Sequence, residues 1–176
     1  SIDIQLNILI RPREGDFYYS DNEFETMKKD IRFCGETGCN GVVFGILNSN
    51  GFIDKIKNKK LLNLAKEYGM NGTFHRAIDT AKDIFETMED IIDLGFDRIL
   101  TSGGKENAID GKDTIRKMIE QAGDRIIIMP GSGITPDNIK KLVDATELKE
   151  FHGSFRGKEN ITDSRLVRTA IEKANK

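Results

Sequence analysis

Only two histidines occur in the 176 residues. His75 lies in T-F-H-R-A-I-D at 73–79 and His152 in E-F-H-G-S-F-R at 150–156. Each comes directly after a phenylalanine, at the point where an apolar run turns polar. An imidazole can work near neutral pH as an acid, a base or a metal ligand, so His75 and His152 are candidate catalytic groups. Asp79, four residues beyond His75, can orient an imidazole, act as a base itself, or cap the next helix. Arg11 joins them as the cation for a reacting anion.

A second set of residues suits anion binding. Arg11, Arg13, Arg76 and Arg156 stand where apolar runs end, and converging guanidinium groups hold a carboxylate or phosphate in bidentate fashion. The alternative for them is ion pairing with Asp16, Asp79 and Glu150. Gly131, Ser132 and Gly133 in P-G-S-G, and Ser154 after Gly153, allow backbone N–H groups to approach a phosphate closely, or make tight strand-to-helix turns. Thr101 and Ser102 can donate to a ligand oxygen or serve a turn. Cys34 and Cys39 are the two thiols of the chain and candidate ligands for a soft metal ion. Their Cys-x4-Cys spacing also fits two small buried residues.

These residues need elements to position them. Short runs at Ile8–Ile10, Val42–Leu47, Thr73–His75, Arg98–Leu100, Ile126–Met129 and Glu150–His152 are β-branched or aromatic and stop at Gly, Pro or a polar cluster, which reads as buried strands. Helical spacing fills the gaps. Ser20 and Glu23 form a capping box opening a helix to about Thr37, with Gly38 after it. Leu61, Leu62, Leu64 and Ala65 share a face before Gly69. Ile84, Met88, Ile91 and Ile92 do so before Gly95, and Ile115, Met118 and Ile119 before Gly123. Thr135-Pro136 opens a helix over Ile139, Leu142 and Val143, and Val167 and Ile171 mark a last one.

The chain thus reads as six strand–helix units, each about the 30 residues of a βα repeat. Regular alternation implies a parallel sheet with helices outside it. An open doubly wound sheet and a TIM (β/α)8 barrel compete. The glycine fingerprint of the dinucleotide-binding open sheet is missing after the first strand. Five successive strand ends carry polar or glycine-rich residues, the pattern of a barrel with its site at the C-terminal face of the strands. The barrel is therefore the expected fold class. Period-two alternation then turns His75 and His152 toward the mouth, and Phe74 and Phe151 toward the helices.

Bulk composition narrows the function. At 38% hydrophobic content the chain can build one core, so a single domain over 1–176 is expected. Lys+Arg 27 against Asp+Glu 29 leaves a net charge of -2, which gives no basic field for nucleic acid. No apolar run reaches the roughly 20 residues of a membrane span. No signal peptide is visible, so a cytoplasmic location is expected.

The motifs I-R-P-R-x-G-D-F-x-Y-S-D at 10–21, G-V-V-F-G at 41–45, T-F-H-R-A at 73–77, D-R-I-L-T-S-G at 97–103, I-M-P-G-S-G-I at 128–134 and E-F-H-G-S-F-R at 150–156 resemble, in order, the copper homeostasis protein CutC family. That resemblance implies a cytoplasmic TIM barrel that self-associates, so a homo-oligomer, and it implies a role in copper homeostasis with copper ion binding. By the family pattern Ile8–Ile10 is the third strand, so the first two βα units are absent. The cysteines the family carries on those strands have no counterpart here. With only about six βα units and an opening at Ser1, the chain is expected to be an N-terminally incomplete barrel. Two functions stand as expectations: a copper-binding homeostasis protein, or a lyase- or isomerase-type barrel enzyme acting on a small anionic or phosphorylated compound.

Overall fold

The computed structural model describes residues 4–157 and 159–175; Ser1 lies outside them. Five strands, β1 Asn7–Leu9, β2 Gly41–Phe44, β3 Asn71–Phe74, β4 Arg98–Thr101 and β5 Ile127–Pro130, form one sheet in the order β1-β2-β3-β4-β5. The pairings from β1 through β4 are parallel and in register, with Ile8 opposite Val42, Val43 opposite Thr73 and Phe74 opposite Ile99. Six helices accompany them: α1 Asp21–Glu36, α2 Lys55–Glu67, α3 Ile84–Leu94, α4 Lys112–Ala122, α5 Ile139–Thr146 and α6 Ser164–Ala174. This is an α/β fold. Each strand neighbours the next in sequence, so the described sheet never reverses its order as a doubly wound sheet does. The chain divides into two compact units, residues 1–99 and 100–176.

In the first unit the helix starts are written in the sequence. Ser20 caps α1 by accepting from the Glu23 N–H, while the Glu23 carboxylate accepts from the Ser20 N–H at 2.7 Å, the reciprocal capping box. Phe24, Met27, Ile31 and Cys34 make its buried face. Asp54 caps α2, and Asp83 caps α3 by accepting from the N–H groups of Phe85 and Glu86. Asn58 is fully buried on α2 at no cost in unsatisfied groups. Its amide accepts from the Ile46 N–H at 3.0 Å and donates to the Ile46 and Asp54 carbonyls at 2.8 Å, tying α2 to the segment beyond β2.

Three elements differ from the sequence expectation. β1 is exposed along its length, while Ile10 directly after it is buried; among the described residues it pairs with β2 alone. The run Glu150–His152 forms a single bridge, His152 to Gly131, in place of a sixth strand, and three residues on, Phe155 takes a positive φ of 43° that breaks the extended backbone. Regular helix α5 begins at Ile139, after Pro136. The Asn138 side chain accepts from the Thr135 N–H at 2.8 Å and holds residues 135–138 as a turn.

Candidate functional site

In the first unit, β3 ends at Phe74, and a 3-10 turn, Arg76–Thr80, comes next. His75 sits between them with 5% of its surface exposed. Its backbone N–H donates to the Phe44 carbonyl at 3.0 Å, and its Nδ1 accepts from the Ala77 N–H at 3.2 Å. An accepting Nδ1 puts the proton of the neutral ring on Nε2. That Nε2–H is buried and no described atom accepts from it. Burial pulls the His75 pKa down to about 4. The Arg11 charge pulls the same way, and the backbone contact and Asp79 oppose it. At neutral pH the ring is a neutral donor.

The ring is fixed on two sides. Phe17 lies against it, with centroids 4.8 Å apart. Gly45 lies behind it, where an added Cβ would stand 2.9 Å from both His75 Nδ1 and the Phe74 ring. Glycine at 45 is therefore what lets β2 approach this histidine. Phe74 faces away, packed edge-on to Phe96 at 5.5 Å, as strand alternation predicts.

The other expected groups of this unit have partners. The Asp79 carboxylate accepts from Arg76 Nε at 2.8 Å, while the Nδ1 it would have oriented is occupied by the Ala77 N–H. Arg13 donates to Glu23 at 2.6 Å, Asp16 at 2.7 Å and the Tyr18 carbonyl at 2.7 Å, bracing the 11–20 segment on α1. Arg11 instead donates to the Gly15 carbonyl at 2.8 Å and lies over the Phe17 ring at 4.8 Å.

Tyr19 belongs to this cluster and was missed as a site residue. It is 1% exposed, and its hydroxyl also lacks a described acceptor. Burial raises its pKa, with Arg11 opposing. The signal was present in F-x-Y-S-D, where a tyrosine stands between two residues of the first motif. Phe17 also lines an open cleft of about 430 Å³ with Gly15, Asp16, Leu47, Asn48 and Thr80.

In the second unit, Thr101 and Ser102 end β4, both fully buried. Thr101 Oγ1 accepts from the Gly103 N–H at 2.9 Å, and Ser102 Oγ donates to the Lys105 carbonyl, so both serve the turn. The Gly131 N–H donates to the Thr101 carbonyl at 2.9 Å. Ser132 and Gly133 both take positive φ, 86° and 67°, and Ser132 Oγ donates to the Glu106 carbonyl at 2.9 Å. The P-G-S-G turn is thus held by the 103–111 loop, and α5 starts only at Ile139. The His152 N–H donates to the Pro130 carbonyl at 2.8 Å. Its side chain is exposed, yet enough protein surrounds it for desolvation to lower its pKa. The Ser154 carbonyl accepts from Thr162, and Arg156 donates to Asn160 at 3.1 Å across a small hairpin.

Cys34 is buried on α1 and Cys39 half-buried before β2, both as free thiols. Burial, and then the neighbouring Cys39 thiol, raise the Cys34 pKa. Metal ligation needs the thiolate, so a metal bound here would displace the thiol protons. Among the described residues no three His, Cys, Asp or Glu side chains cluster as a metal site.

Comparison with known proteins is consistent across sequence and structure. The sequence profile of the CutC family matches residues 1–157. A CutC family protein of Xanthomonas campestris is 44% identical over 156 residues, 89% of this chain and 64% of that protein. A human copper homeostasis protein cutC homolog is 43% identical over 89% of this chain and 56% of its own length. The chain therefore spans about three-fifths of these relatives. A solved structure from Streptococcus agalactiae, named as a copper homeostasis protein CutC, superposes with a TM-score of 0.80 at 35% identity, over 85% of this chain and 72% of that one.

Proposed function

The chain belongs to the CutC family, and we propose that it serves copper homeostasis in the cytoplasm as part of a (β/α)8 barrel that binds a small anionic compound at the C-terminal ends of its strands. The barrel reading is supported by the sequential, unreversed strand order and by the CutC neighbour. No helix among the described residues is long and apolar enough to cross a membrane.

One observation carries the ligand reading: His75 ends β3 with a neutral ring whose buried Nε2–H has no acceptor. Buried donors are almost always satisfied, because an unmet one costs about 1–3 kcal/mol. A ligand at the strand end supplies the missing acceptor. With His75 as acid or base, such a site suits a lyase or isomerase step. Arg11 would hold the anion's charge. The test is thermal unfolding against a panel of small carboxylic and phosphorylated acids. A true ligand at a hundred times its Kd stabilises the chain by about 2.7 kcal/mol, and His75→Gln should abolish the gain. Stabilisation by no acid in the panel would remove this reading.

Copper ion binding by the chain itself is favoured by one contact, the adjacency of the Cys34 and Cys39 thiols. Under reductant, Cu(I) titration against a chromogenic chelator should then show one tight equivalent that Cys34→Ser with Cys39→Ser removes. Retained binding in the double variant would put copper elsewhere.

A further inference from the structure

Building on the small-anion reading, we propose that the first unit holds a carboxylate-specific subsite in which Tyr19 Oη and His75 Nε2 donate to the ligand carboxylate and Arg11 neutralises its charge. Two independent buried groups point to it. His75 Nε2 and Tyr19 Oη are the buried side-chain donors left without an acceptor among the described residues. They come from different segments, His75 after β3 and Tyr19 before α1. Two unmet donors in one unit cost more than either alone, and one acceptor group with two oxygens can satisfy both.

Arg11 and Phe17 tie the two together. The Arg11 charge acts on both side chains. Its guanidinium lies over the face of Phe17, and the same ring packs against His75. Phe17 also lines the neighbouring cleft with Gly15, Asp16 and Leu47, and is the ring that the cleft shares with the Arg11–His75 cluster.

The choice of carboxylate over phosphate rests on counting charge. Arg13 is committed to Asp16 and Glu23, and Arg76 to Asp79. Among the described residues the groups that accept from Arg11 are neutral, the Gly15 carbonyl and the Tyr19 hydroxyl. One cation with two neutral donors balances a monoanion. A phosphate monoester, close to a dianion at neutral pH, would bring a second charge into a site where burial keeps His75 neutral. The ligand class is therefore a small monocarboxylic acid with an apolar or aromatic flank. Tyr19 is a positioning donor of this subsite, and nothing in the geometry requires it to exchange a proton.

The experiment is NMR titration of the 176-residue chain, with 15N-labelled histidine, using benzoate, lactate and pyruvate in one arm and inorganic phosphate and phosphoglycolate in the other. His152→Gln identifies the His75 signals. A carboxylate should move His75 Nε2 saturably. Tyr19→Phe should weaken binding about tenfold or more, the loss of a hydrogen bond to a charged group, while leaving unfolding midpoints unchanged or higher because an unmet buried hydroxyl is gone. Arg11→Gln should weaken carboxylates without loss of fold. That split, weaker binding with undiminished stability, is what a merely structural tyrosine would not show. If phosphate or phosphoglycolate binds with His75 unmoved, the carboxylate subsite is overturned while the broader small-anion reading stands. Carboxylate binding indifferent to Tyr19→Phe and Arg11→Gln overturns the subsite equally. Binding in neither arm removes both.

Discussion

At residues 74–75 the phenylalanine is fully buried among Phe44 and Phe96, and the histidine beside it is 5% exposed with Nδ1 bonded to the Ala77 N–H. At 151–152 the same dipeptide leaves the phenylalanine half-buried against Phe155 and the histidine exposed. The segment after each histidine makes the difference. Beyond His75 the R-A-I-D segment coils into a 3-10 turn that bonds back to the ring. Beyond His152 the chain runs through Gly153 and Ser154 to Phe155 at φ 43° and on to the Arg156–Thr162 bridge, with no backbone donor to the imidazole among the described residues. One strand end is closely packed around its histidine. The other is an open loop.

Truncating the two phenylalanines tests that contrast most severely. Phe74→Ala empties a fully packed aromatic cluster and should cost about 3–5 kcal/mol. Phe151→Ala should cost about 1 kcal/mol, since its ring is only partly buried. Denaturant unfolding of both variants gives the two numbers, and equal losses would break the comparison.

Acid titration probes the histidines themselves. The unfolded His75 titrates near 6.5 and the folded one at about 4. Between those values the unfolded chain binds a proton that the folded chain excludes, so stability is full above pH 6.5 and falls as pH drops through that window. The loss is about 3 kcal/mol and ends below pH 4. His75→Gln should flatten the dependence. His152, also lowered by desolvation but at an exposed position, should contribute a smaller slope of the same sign, read by removing it as His152→Gln.

The chain's own residues announced much of this. The capping box at Ser20 and Glu23, the apolar face of α2 at Leu61, Leu62 and Ala65 and the outward turn of Phe74 come from local spacing, and local spacing is what sequence shows. The neutral, unsatisfied state of His75 was not legible. It depends on Phe17 and Gly45, which are 58 and 30 residues away along the chain (75 − 17 and 75 − 45) and meet it only through the sheet. The arginines divide the same way. Arg13 and Asp16 could be paired on paper, but that Glu23 would complete the clamp, leaving Arg11 over Phe17, required the fold of the 11–20 segment. Glu150–His152 misled because an apolar Phe-His run looks alike whether it pairs along its length or at a single bridge.

Glycine substitution gives the smallest and sharpest version of the contrast. Gly45 and Gly153 each sit beside the ring of a Phe-His region, and each would bring an added Cβ under 3 Å from an aromatic atom. At Gly45 those atoms belong to His75 and Phe74, both locked by packing and by the backbone, so neither can retreat. Gly45→Ala should cost about 1–3 kcal/mol, as overpacking in a filled core does, and it should displace the His75 ring resonances. At Gly153 the Cβ would meet the far edge of Phe155, 2.6 Å away, on a half-buried ring free to swing outward. Gly153→Ala should stay within about 0.5 kcal/mol of the parent, as substitutions at accommodating surface positions do. Chemical denaturation of the two alanine variants decides it: a Gly153→Ala loss matching that of Gly45→Ala would mean that the second loop is as tightly built as the first.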